Sequence, residues 1–216
     1  MERILEPEYM DTEVEAHSYA AMDHTEANHS VAKRLLALGS GHGLILDIGT
    51  GPGDIPILMA GQKPEGRYVA VDAAAEMLKL AKLKISDSGL TERIVLHRAD
   101  AKQLPYPAGS FDAVFSNTIL HHIPAPIDLL REARRVLKPG GVLLIRDLYR
   151  PPTEAAAWAL VDKHATGATD TQRQLLFDSL HAALTPAEAR KLVDAVEMTG
   201  ATVEMTSDRH YTIECR

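Results

Sequence analysis

Leu46-Asp47-Ile48-Gly49-Thr50-Gly51-Pro52-Gly53-Asp54 is the stretch on which the rest of the chain turns. The apolar run that leads into it, Leu44 to Ile48, reads as a buried strand. Glycines at 49, 51 and 53 then permit a tight strand-to-helix turn and let a ligand approach the backbone closely. Residues 55–60 resume as a helix. A dinucleotide fingerprint wants G-x-G-x-x-G, and its sixth position here is Asp54. A carboxylate at a helix start also repels a pyrophosphate, which argues against a nicotinamide-dependent oxidoreductase. No G-x-x-x-x-G-K-[ST] occurs, so a triphosphate loop is excluded. The turn is nucleotide-like in shape but wrong for phosphate; a purely structural turn is the alternative.

Outward from this turn, apolar runs alternate with helical patterns. Strands are predicted at 67–72, 94–100, 111–117 and 142–147. Helices are predicted at 73–85, where Met77, Leu80 and Ala81 recur at helical spacing, and at 127–137, ended by Pro139-Gly140-Gly141. Such alternation implies right-handed βαβ units and a mostly parallel sheet. Beyond Pro151-Pro152 three helices are expected, at 153–165, 170–184 and 185–199. The last carries an N-terminal signature, Thr185-Pro186-Ala187-Glu188. Two late strands, 201–206 and 209–214, form a hairpin. Upstream, 11–38 has helical composition, with Val31, Leu35 and Leu38 in phase.

Three residues stand at successive strand ends, where open α/β sheets bind ligands. Asp72 can accept from both ribose hydroxyls, or cap a helix. Asp100, followed by Ala101, can accept from an adenine amino group, or cap a turn. Asn117 ends the fourth strand.

These pieces resemble the class I S-adenosylmethionine-dependent methyltransferases of the small-molecule type. The matching segments are LDIGTGPG (46–53), YVAVDAAAEML (68–78), RAD (98–100), SFDAVFSNTILHHI (110–123) and EARRVLKPGGVLLI (132–145), in the family's order and spacing over about half the chain. The resemblance implies a Rossmann-like, doubly wound, seven-stranded, mostly parallel sheet whose last strand is antiparallel and lies beside the fifth. It implies a helical lid over 1–43 and a catalytic domain over 44–216, with a helical insertion at 150–200 on the acceptor side. It implies a cofactor, S-adenosyl-L-methionine, leaving as S-adenosyl-L-homocysteine. Gly49, Thr50 and Gly51 would face its methionine part, with Asp47 and Asn117 near the amino acid end. Asp72 would bind ribose, Ala73 would lie near the adenine, and Asp100 and Ala101 would flank it. Met77 reads better as helix core.

Methyl transfer from a sulfonium is an in-line displacement, so alignment dominates and a base is needed only for a protonated acceptor. Candidates for that role are His121, His24 and His210. His121 and His122 follow the fourth strand, and one of them is expected to face the site. His24 and Asn28 share a helix face, and a solvated face is the plainer reading. Arg209 and His210 come from the final hairpin, and His164 and His181 from the insertion. His24, His121, His181 and His210 show no ligand spacing such as H-E-x-x-H, so no metal is expected. Arg131, Arg134, Arg135 and Lys138 line one helix, read as a solvated face.

Composition fits this picture. The 216 residues are 45% hydrophobic and 25% charged, ordinary for a globular chain. Lys plus Arg is 23 and Asp plus Glu 30, a formal charge of -7, unfavourable for non-specific nucleic-acid or anionic-membrane binding. A nucleic-acid methyltransferase is further disfavoured by Asn117-Thr118-Ile119-Leu120 where an Asn-Pro-Pro-aromatic motif would stand. The single cysteine, Cys215, excludes an intrachain disulfide and a cysteine zinc cage. No apolar run reaches the ~20 residues of a membrane span, and residues 1–10 lack a signal-peptide pattern, so a cytoplasmic location is expected. The expected function is methyl transfer to a small-molecule acceptor, as a monomer or homodimer. The alternative is a catalytically silent cofactor-binding protein or regulatory subunit.

Overall fold

A computed structural model describes residues 1–6, 11–20, 22, 24–63 and 65–216. In chain order the elements are α1 (Glu13–Ala20), α2 (Thr25–Ala37), β1 (Gly43–Ile48), α3 (Asp54–Gln62), β2 (Gly66–Asp72), α4 (Ala75–Asp87), β3 (Ile94–Arg98) and β4 (Phe111–Asn117). A short 3₁₀ turn, Leu120–His122, leads to α5 (Pro126–Val136) and β5 (Leu137–Leu148). Then come α6 (Glu154–His164), α7 (Asp170–Ala182), α8 (Pro186–Ala195), β6 (Thr202–Met205) and β7 (His210–Cys215).

The seven strands form one sheet in the order β3-β2-β1-β4-β5-β7-β6. β1 to β5 are parallel, and β7 runs antiparallel to β5 and β6, as the resemblance implied. Strand order reverses between β1 and β4, and the crevice outside their carboxyl ends is where this architecture holds ligands. Period-two alternation divides the core. Leu46, Ile48, Val114 and Ile145 face one layer, against Leu129 and Ala133 of α5 and Val193 of α8. Ile45, Phe115 and Leu144 face the other, against Leu35 of α2, Met59 of α3 and Ile85 of α4. Each such side chain contributes about 1.5–3 kcal/mol by leaving water.

Three boundaries differ from the sequence expectation. The 11–38 segment is two helices, with residues 21 and 23 between them outside the described set. The Pro139-Gly140-Gly141 segment belongs to β5, whose pairing with β4 slips between Phe111↔Leu137 and Ala113↔Val142. A bulge absorbs the proline there. α8 stops at Ala195 because Glu197 takes a left-handed φ of 52°. Its start does follow the signature: Thr185 and Glu188 form a reciprocal capping box.

Candidate active site

The main cleft, about 1080 Å³ with its open mouth, lies at the β1–β4 crevice. Its walls include Asp47, Gly49, Thr50, Gly51, Asp72, Ala73, Asp100, Ala101 and Asn117, all nine residues assigned above to the cofactor. Met77, read as helix core, is indeed buried, yet also touches the cleft.

The glycine turn spends its amides inward. Gly49 and Thr50 N–H both donate to the Val71 carbonyl, at 2.8 and 2.9 Å, and Gly53 N–H to the Thr50 carbonyl at 3.0 Å. A phosphate would find no free cradle there. Gly49 has φ 74°, and a Cβ on it would sit 2.5 Å from Ile119. Gly51 has φ 53°, and a Cβ there would enter open space on the cleft wall.

Asp72 is oriented by two amides: Oδ2 accepts from Gly51 N–H at 2.8 Å and Oδ1 from Ala74 N–H at 2.9 Å. It does not cap α4. That role belongs to Asp11, whose Oδ1 accepts from Ala75 N–H at 2.7 Å and Glu76 N–H at 3.4 Å. Burial pushes the Asp72 carboxyl above its ordinary value, against those backbone donors. Asp47 is only 2% exposed, and its Oδ2 has no hydrogen-bond partner. Burial, reinforced by the charge of Asp72, outweighs the Thr50 hydroxyl and pushes it up to about 7.

Asp100 turns toward Lys102, accepting from its N–H at 2.8 Å and pairing with its ammonium at 3.0 Å. Asn117 accepts from Arg146 at 3.3 Å. Next to it Thr118 holds a left-handed φ of 56°, a strained conformation for a β-branched residue. Opposite, Tyr19 lines the cleft and stacks on His24 with centroids 4.7 Å apart. Burial raises the Tyr19 pKa, with the Thr118 hydroxyl opposing and the charges of Asp54 and Asp72 adding to it. Ala16 packs with Ala74 and Met77, so α1 closes against α4. Sequence reading missed Tyr19 and Thr118. Neither carries a local signal: Tyr19 acts through tertiary closure, and threonine is a poor left-handed residue.

The histidines separate. His24 caps α2 and lines the cleft with Asn28, whose N–H donates to the His24 carbonyl at 2.9 Å. His122 lines the cleft; His121 does not. The His121 ring is buried, with Nδ1 2.5 Å from Asp147 Oδ1 and Nε2 3.4 Å from Glu6. Burial alone would lower the His121 pKa, but the charge and hydrogen bond of Asp147 leave it raised. His210 also falls outside the cleft lining. Its Nδ1 accepts from Arg146 at 2.9 Å and lies 2.8 Å from the Ser207 hydroxyl. Burial first, then the charges of Arg146 and Arg209, depress its pKa to about 2. His121 and His210, expected at a reacting centre, are thus not among the residues that line the cleft; their rings engage Asp147 and Arg146. The residues 150–200 supply none of the cleft lining among the described residues, and His164 instead contacts Asp208 at 2.9 Å. His181 sits against Phe177, with ring centroids 5.2 Å apart. Arg131 and Arg135 stand on α5 and pair with Asp128 and Glu132, but Lys138, expected on the same helix, lies in β5 and pairs with Asp112, and Arg135 also donates to the Tyr106 and Leu104 carbonyls, so the group is not one solvated helix face.

Residues 46–145 match the family model described as methyltransferase domain. Over this stretch, a little under half of the chain, the sequence is similar to methyltransferases, as the resemblance implied. It is 35% identical over 113 residues to the ubiquinone/menaquinone biosynthesis C-methyltransferase UbiE of Geobacter sp. (strain M21), covering 52% of this chain and 48% of that one. It is 36% identical over 111 residues to the 27-O-demethylrifamycin SV methyltransferase of Amycolatopsis mediterranei (strain S699), covering 51% and 40%. The chain thus spans about half the length of the curated relatives it matches. A crystal structure of a SAM dependent methyltransferase from Aquifex aeolicus shares the fold, with TM-score 0.68, 18% identity, and coverage of 94% and 97%. A phosphoethanolamine N-methyltransferase 2 of Haemonchus contortus, crystallised in complex with S-adenosyl-L-methionine, shares the fold with TM-score 0.68, 19% identity and coverage of 90% and 44%. No helix among the described residues is long and apolar enough to cross a membrane.

Proposed function

We propose that this methyltransferase moves a methyl group from S-adenosylmethionine to a small-molecule acceptor, in the cytoplasm. The observation that carries the reading is the state of Asp72. Its carboxylate is fixed by two backbone donors and relieved of helix capping by Asp11, so its remaining lone pairs are available to a vicinal diol. The rest of the cleft supports the same ligand. Asp47 offers a buried acceptor without a partner, suited to an ammonium group. Inward-turned glycine amides suit a nucleoside that carries no phosphate. The open space at Gly51 leaves room for a ligand against the backbone.

The bound cofactor supplies a methyl on a sulfonium, an electrophile with a good leaving group. What remains for the protein is alignment and exclusion of water. In this reading residues 11–20 and His24 supply the lid: Asp11 fastens to α4, Ala16 packs beneath, and Tyr19 and His24 close the cleft, while α2 packs on the sheet through Leu35. Thr118 and Asn117 form the facing wall. His24 is the imidazole placed to take a proton from an acceptor that must lose one; His121 and His210 are engaged elsewhere. The curated relatives are named for quinone and rifamycin methylation, so quinols and phenols head the acceptor panel.

The test is transfer of label from methyl-labelled S-adenosylmethionine to a panel of quinols, phenols, amines and thiols. Label in at least one product, absent with Asp72→Ala, is the expected result. Cofactor binding with no turnover on any acceptor would favour a silent binding protein instead.

A further inference from the structure

We propose that Glu6, His121 and His122 bind a divalent transition-metal ion of the zinc class at the rim of the cleft. The three residues come from two segments far apart in sequence, which is why no spacing motif announced them. Their ligand atoms all lie within 4.8 Å of one another. Glu6 Oε1 is 3.0 Å from His122 Nδ1 and 3.4 Å from His121 Nε2. A tetrahedral ion with bonds of ~2.1 Å needs ligand atoms ~3.4 Å apart, and both Glu6 spacings are close to that.

Two further features point to a ligand rather than to a chance ion pair. His122 Nδ1 is buried, and the carboxylate set beside it is Glu6, whose Oε1 stands 3.0 Å away. His121 is braced as metal-bound imidazoles usually are, with the far nitrogen on a carboxylate. Its Nδ1 sits 2.5 Å from Asp147 Oδ1, and its backbone N–H donates to Asp147 Oδ2 at 3.0 Å. With Nδ1–H donated to Asp147, the Nε2 lone pair faces Glu6. Asp147 is itself held by the Leu148 N–H at 2.6 Å, and Glu6 by the Ser179 hydroxyl at 3.2 Å. The neighbouring Arg3 guanidinium is tied to the carbonyls of Ala182, His121 and Ile123. Two imidazoles and a carboxylate suit zinc, cobalt or iron in the divalent state better than magnesium or calcium. Three protein ligands also leave a coordination position open. An ion here would join residues 1–6 to the turn after β4, and the site stands whether or not the cleft transfers methyl groups.

The experiment is a cobalt(II) titration of the untagged, chelator-treated 216-residue chain, read by visible ligand-field absorption and repeated with zinc by calorimetry. The wild-type chain should take up one equivalent, with charge-transfer-free bands of low-coordinate cobalt. Glu6→Gln and His122→Ala should each weaken binding by roughly tenfold or more. His122→Ala tests an edge ligand, and Glu6→Gln keeps volume, so circular dichroism should show both folded. If Glu6→Gln alone keeps its fold, it decides the matter. Absence of cobalt bands and zinc heat in the wild type would overturn the proposal. So would wild-type affinity in the folded variants, which would place the ion on other histidines.

Discussion

Asp72 and the two glycines that precede it show how one residue type can serve fold and ligand by different physics. Losing the Asp72 carboxylate removes hydrogen bonds to charged oxygen, each worth about 1.5–3 kcal/mol. Asp72→Ala should therefore weaken S-adenosylhomocysteine binding by roughly 10- to 100-fold in calorimetry. Gly49 and Gly51 should part company. A Cβ at Gly49 meets Ile119 at 2.5 Å, whereas one at Gly51 meets nothing within 4 Å. Gly49→Ala should cost about 2–4 kcal/mol of folding stability in urea, overpacking added to left-handed strain. Gly51→Ala should cost about 1–2 kcal/mol, with the larger effect on ligand affinity.

Asp47 gives a pH signature at the same scale. Its carboxyl sits near 7 in the folded chain against an ordinary 3.8, so over that window the fold keeps a proton that the unfolded chain releases. Its contribution to stability is present below the lower value and is lost as pH rises through the window. A ligand ammonium needs the ionised form, so affinity for S-adenosylhomocysteine should fall as pH drops below about 7, by up to tenfold per unit, and Asp47→Asn should flatten that part of the profile. That the nine residues assigned to the cofactor line one cleft was legible because strand ends and glycine spacing are local signals. Tyr19, Thr118 and the inward turn of His121 were not, because each depends on a partner remote in sequence.

Elements were legible where apolar periodicity and turn chemistry agreed. β1, β2 and β4 are short buried runs bounded by glycine or polar residues, and they lie within a residue of expectation. The start of α8 followed its capping box; Thr185→Ala should cost ~1 kcal/mol, read as a lowered midpoint in urea. The disagreements come from tertiary pairing. β5 begins early because Leu137 finds Phe111 across the sheet, and no composition rule sees that partner. α4 is capped by Asp11, 64 residues upstream, so the helix shares one bond with the segment that leads into α1. Asp11→Ala should speed hydrogen exchange in both 11–20 and the first turn of α4. An effect on α4 alone would detach the lid from this bond.

At the scale of the molecule, topology is the most legible feature, since alternating strands and helices admit few handed arrangements. The use of residues 150–200 was not: they pack on Leu148 and α5 without lining the cleft. Ligand linkage should be visible across the whole fold. S-adenosylhomocysteine at 100 times its Kd should add about 2.7 kcal/mol and raise the melting temperature by roughly 5–10 °C. The most direct measurement is a crystal structure with S-adenosylhomocysteine. The nucleoside should lie in the β1–β4 crevice, both ribose hydroxyls within hydrogen-bond reach of the Asp72 carboxylate and the amino acid end toward Asp47. A nucleoside bound elsewhere, or one that leaves Asp72 with only its two backbone donors, would contradict the assignment.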